Sequence, residues 1–78
     1  MKELAEYMVK AVVNYPEKVL LTLKEDNQTA TILMELRVDS TDFPRVIGKS
    51  GNTIKAIRTL LNAAGFAHRK RVQLEVLK

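Results

Sequence analysis

The sequence predicts an α+β fold of order αββααβ, with helices covering one face of a three-stranded mixed sheet. Three observations predict it. Two stretches in the first half and one at the C-terminus alternate apolar and polar residues with a period of two, as half-buried strands do. The opening segment and the segment before the last strand instead repeat apolar residues every three or four positions, the period of an amphipathic helix. Because the last strand is reached through helices, a right-handed crossover can lay it parallel to the second, whereas the first two form an antiparallel hairpin.

The first helix rests on Leu4, Tyr7, Met8 and Ala11, with Ala5, Val9, Val12 and Val13 widening its apolar side, and is expected to end near Asn14-Tyr15-Pro16. From Lys18 to Lys24 the residues Val19, Leu21 and Leu23 share one face of a strand and Leu20, Thr22 and Lys24 the other. A polar turn is expected at Glu25-Asp26-Asn27-Gln28. After it Ala30, Ile32, Met34, Leu36 and Val38 alternate with Thr29, Thr31, Leu33, Glu35 and Arg37. Asp39-Ser40-Thr41-Asp42 is a helix-start cluster, and Pro44 suits only a first turn, so a short helix through Val46 and Ile47 follows. Gly48-Lys49-Ser50-Gly51 interrupts it. A longer helix runs from about Gly51 to Ala64 on Ile54, Ile57, Leu61 and Ala64, with Gly65 expected as its C-terminal cap. Val72, Leu74 and Val76 alternate with Arg71, Gln73 and Glu75 as the last strand.

The 78 residues suffice for one domain spanning 1–78, and a hydrophobic content of 46% is ample for a core. With no cysteine, and with His68 as the lone histidine, neither a disulfide framework nor a metal site is expected, and no cofactor is called for. No apolar run approaches the ~20 residues of a membrane-spanning helix, and the N-terminus carries acids where a secretory signal would be cationic, so the cytoplasm is the expected compartment.

Charge is unevenly spread. Residues 1–42 carry five basic and eight acidic side chains, whereas residues 43–74 carry Arg45, Lys49, Lys55, Arg58, Arg69, Lys70 and Arg71 and no acid. Cations gathered around a glycine loop suit a polyanion. A nucleotide-binding P-loop needs a further glycine five residues before the Gly-Lys-Ser, and that position holds Phe43. No magnesium-binding motif accompanies the loop, and the acids lie in the other half of the chain, so no catalytic dyad is formed and an enzyme is not expected. The remaining ligand is a backbone phosphate of a polynucleotide. An RRM would stack bases on aromatic residues of its open sheet face, but here that face offers Thr22, Lys24, Thr31, Glu35, Arg37, Gln73 and Glu75.

The stretch from Val46 to Leu61, Val-Ile-Gly-Lys-Ser-Gly-Asn-Thr-Ile-Lys-Ala-Ile-Arg-Thr-Leu-Leu, resembles the signature of KH domains. That signature is Val-Ile-Gly-x-x-Gly followed by a helix with an isoleucine three residues in. The extra helix and strand before the shared unit are similar to the type II, prokaryotic arrangement, and over nearly its whole length the chain resembles the small single-domain bacterial KhpA-like RNA-binding proteins. Pro44 departs from the pattern without touching the loop. The resemblance implies a Gly-x-x-Gly loop that clamps the backbone of about four nucleotides. It implies single-stranded RNA as ligand, an RNA-chaperone or post-transcriptional role, and a larger Jag-type KH protein as a partner.

The RNA-binding set expected on the loop and adjoining helices is Arg45, Ile47, Gly48, Lys49, Ser50, Gly51, Asn52, Ile54, Lys55 and Arg58. Gly48 and Gly51 let a sugar-phosphate chain approach, Lys49 adds a charge, Ser50 a hydroxyl, and Ile47 and Ile54 an aliphatic floor that is shared with the core. Lys55, Arg58 and Asn62 fall on one stripe of the long helix. Few groups can read base edges, so sequence specificity is expected to be low. Ala56, Leu60 and Ala63 form a second apolar strip through which two copies could pair. The competing reading is a protein-interaction subunit whose glycine loop is vestigial.

Overall fold

Alternation and helical spacing set the elements of the computed structural model, which describes all 78 residues. Helix α1 spans Lys2–Lys10, a 3-10 turn Pro16–Lys18, strand β1 Leu20–Asp26, strand β2 Thr31–Arg37, helix α2 Phe43–Ile47, a second 3-10 turn Lys49–Gly51, helix α3 Asn52–Ala67 and strand β3 Arg71–Leu77. Of the helices only α1 and α3 exceed two turns. None is long and apolar enough to cross a membrane.

The sheet has the order β1-β2-β3. β1 runs antiparallel to β2 with Leu21 opposite Leu36, and β2 runs parallel to β3 with Met34 opposite Leu74. This register puts Leu21, Ile32, Met34, Leu36, Val72 and Leu74 on one face, where Ala5 and Val9 of α1, Val46 of α2 and Ile54, Ile57 and Leu61 of α3 cover them in a single core. Each such aliphatic side chain contributes about 1.5–3 kcal/mol when fully buried. The opposite face is open and holds Thr22, Glu35 and Glu75 in one row and Leu20, Arg37 and Leu77 in another.

Boundaries shift for local reasons. α1 stops at Lys10, four residues early, as the chain tightens into a turn with the Val12 N–H on the Val9 carbonyl at 3.0 Å. β1 continues through Asp26 because its carboxylate accepts the N–H groups of Gln28 and Thr29, which moves the turn onto residues 27–30. Ala30 therefore closes that turn with φ of 52° instead of opening the strand.

Gly65 is not a cap. α3 runs through it to Ala67, and a Cβ there would stand 2.7 Å from the Lys70 carbonyl oxygen and 2.8 Å from Val72 Cγ2. Glycine is required by close approach of the returning chain, whose Lys70 N–H bonds the Gly65 carbonyl at 2.8 Å. The residue with positive φ in this turn is Arg69, at 58°.

Asp42 holds the glycine-loop side of the fold in place. Its buried carboxylate accepts the backbone N–H groups of Asn14 and Tyr15, each at 2.9 Å, and so ties the segment after α1 to the start of α2.

Candidate nucleic-acid interface

α2 and α3 meet at the Gly48–Gly51 loop, and the two glycines are there for different reasons. Gly48 has φ of 77°, and a Cβ on it would collide with Thr53 Oγ1 and lie 2.7 Å from the Thr53 amide nitrogen. No other residue fits. Gly51 has φ of 74°, but the nearest atom to a Cβ would be Lys55 Cε at 3.9 Å, so the space above it is open. Ser50 between them also takes a left-handed conformation, φ 55°. Lys49 and Ser50 are thereby turned outward at the tip, both exposed.

Gly51 is the N-cap residue of α3, and no side chain caps that end. The positive end of the helix dipole, with no side-chain cap on it, favours an anion at this place. Lys49 and Lys55 are in no ion pair, while Arg45 reaches Asp42 only at 4.0 Å and is exposed. Asn52 is exposed beside the loop, its N–H held by the Lys49 carbonyl. Ile54 is only 4% exposed and belongs to the core, whereas Ile47 is half-buried at the core's margin.

Arg58 is already engaged at the sheet edge. Its Nε and Nη2 both donate to the Leu74 carbonyl, at 3.1 and 3.0 Å. One turn on, Asn62 Oδ1 accepts the Val72 N–H at 3.2 Å and Nδ2 donates to the Arg58 carbonyl at 3.0 Å. β3 is an edge strand, and these two side chains satisfy backbone groups that the sheet leaves open. Helical spacing puts Lys55, Arg58 and Asn62 on one stripe but carries no signal that the stripe overhangs a strand edge.

Ala56 and Leu60 line an apolar groove between α1 and α3 with Tyr7, Met8, Ala11 and Val12, in which Tyr7 is 75% and Leu60 56% exposed. Ala63 is exposed one turn beyond, outside that lining. The sequence offers the Ala56–Leu60 strip and the apolar face of the first helix as separate surfaces, because helical periodicity gives no sign that the two helices lie side by side along one groove.

A parallel βααβ unit with a glycine loop between its helices, preceded by a helix and a strand, is the architecture of a type II KH domain. The chain belongs to the KhpA/KhpB KH-domain family, whose model matches residues 2–76. It is similar to the RNA-binding protein KhpA of Chlamydia pneumoniae, 45% identical over 100% of this chain and 97% of that one. It is also similar to the RNA-binding protein KhpA of Listeria monocytogenes, 41% identical over the whole of both chains. Among solved structures, the fold is shared with Aquifex aeolicus Era bound to GDP and aluminium fluoride, at a TM-score of 0.62 and 18% identity, over 95% of this chain and 28% of that one.

Proposed function

We propose that this chain is a non-catalytic binder of single-stranded RNA that clamps the phosphate backbone at Gly48–Gly51. The observation that carries the reading is the open space over Gly51 at the uncapped N-terminus of α3, flanked by the unpaired Lys49 and Lys55. Full-length relatives named RNA-binding proteins support it. Arg45 and Asn52 flank the path of the strand, and Ile47, with Ile54 beneath, is the aliphatic surface on which a base rests. Arg58 contributes the donors left over from Leu74, since a guanidinium has five. Most contacts are to backbone, so binding is tolerant of sequence and suits an RNA chaperone or post-transcriptional regulator in the cytoplasm.

The groove between α1 and α3 supports association, either with a second copy or with a larger Jag-type KH protein, through Tyr7, Ala56 and Leu60.

The test of the clamp replaces Lys49 and Ser50 by Asp. Both are exposed, so the fold survives, and two anions then stand where phosphates pass. At ~5 Å and a surface-like dielectric each such encounter is unfavourable by about 1–3 kcal/mol, so affinity for a labelled single strand in fluorescence anisotropy falls at least about tenfold. With about three or four phosphates engaged, the parent's log–log salt slope is about −2 to −3. A folded double variant that binds like the parent would transfer the function to the protein-interaction reading.

A further inference from the structure

The outer face of α3 does not end at Asn62. Lys55, Asn62 and Phe66 follow one another at steps of seven and four residues and so share that face. Phe66 is 82% exposed, more than any other large apolar side chain of the protein. It borders a shallow hollow lined by Asn62, Ala67, Arg69, Lys70 and Arg71. Lys70 is held by Glu25 at 3.0 Å, but Arg69 and Arg71 are exposed and in no ion pair. The turn under them is fixed by the His68 and Lys70 N–H groups on the Gly65 carbonyl, at 2.9 and 2.8 Å, and by the Arg69 N–H on the Phe66 carbonyl at 2.9 Å.

An exposed ring beside free guanidinium groups offers a flat face for a base and cations for the phosphates on either side of it. A second copy of the same surface is a poor occupant, because it would bring arginines against arginines in a protein of net charge +4. We infer that RNA held at the glycine loop runs on along the outer face of α3 to a second contact, where Phe66 stacks a base and Arg69 and Arg71 take phosphates. This rests on the clamp proposed above. From Gly51 to Phe66 the helix rises about 22 Å. At the roughly 3.4 Å spacing of stacked nucleotides, that is about six nucleotides beyond the clamp.

Strand length separates the two contacts. An oligouridine of about five nucleotides fills only the clamp, and one of about fourteen reaches both. Phe66→Ala should weaken the long strand about fivefold or more and leave the short one unchanged, while Phe66→Tyr keeps the ring and the affinity. Arg69→Ala with Arg71→Ala should make the salt slope for the long strand shallower by about 1.4. All four are surface changes, checked by far-UV circular dichroism. Long-strand affinity and slope unchanged in these variants, with the Lys49/Ser50 double variant still weakened on both lengths, would overturn the second contact and leave the clamp standing. A loss of mass in light scattering on Phe66→Ala would also overturn it, by assigning the ring to a protein contact. A Lys49/Ser50 double variant that binds both lengths as tightly as the parent, with Phe66→Ala still weakening the long strand, would overturn the clamp alone.

Discussion

Arg58 on α3 donates twice to the carbonyl of Leu74, closing the free edge of β3 with a side chain from the helix that packs above it. The bond ties the helix that follows the glycine loop to the sheet. Arg58→Met keeps the aliphatic stem and removes the donors, leaving the Leu74 carbonyl to solvent. With an exposed guanidinium, the loss in urea unfolding should be about 1 kcal/mol. Lysine should not restore it, since a single ammonium cannot reproduce the two-nitrogen fork.

Asp42 is the larger structural dependence. Its carboxylate is buried and receives two main-chain N–H groups, so Asp42→Ala leaves both donors without their partner. Unfolding by urea should show a loss of about 2–4 kcal/mol, a large part of the stability of so small a domain. A loss below about 1 kcal/mol would mean that water reaches Asn14 and Tyr15 once the carboxylate is gone.

The Lys18–Asp39 pair, at 3.1 Å, gives a pH dependence with two limbs. Hydrogen bonds from the Thr41 hydroxyl and N–H, and then from Lys18, hold the Asp39 carboxyl below its usual range. Its stabilisation is therefore present above about pH 4 and fades as pH falls through the folded value. The hydrogen bond to Asp39, reinforced by its charge, raises Lys18, whose contribution is full below about pH 10 and is lost as pH rises through the raised value. Thermal unfolding of Asp39→Asn should lie below the parent at neutral pH, converge with it in acid, and close only part of the gap in alkali, where the Lys18 share is lost but the Thr41 hydrogen bonds to the ionised carboxylate persist. A constant offset across the range would assign the loss to packing.

Leu60 stands in the groove between α1 and α3, more than half exposed. If two copies meet there, Leu60→Asp should halve the mass measured by light scattering while far-UV circular dichroism is unchanged. A monomeric parent would leave the groove to a different partner.

Residue identities alone determined the strands and helices, the side of the sheet that is covered and the position of the glycine loop. Each follows from a short-range rule: apolar period, a proline confined to a first turn, or a glycine spacing read along the chain. Tertiary structure decided what such rules cannot see. Gly65 serves close approach and not a helix end, because the returning Lys70 and Val72 press on it; Asp42, at the start of α2, gives its carboxylate to Asn14 and Tyr15 and not to that helix. Arg58 and Asn62, polar residues on an exposed stripe, turn out to lie over the edge of a strand sixteen and ten residues away. Whether a cation faces solvent, a ligand or an open carbonyl depends on which backbone groups the sheet leaves unpaired, and that is known only once β3 has taken its place beside β2.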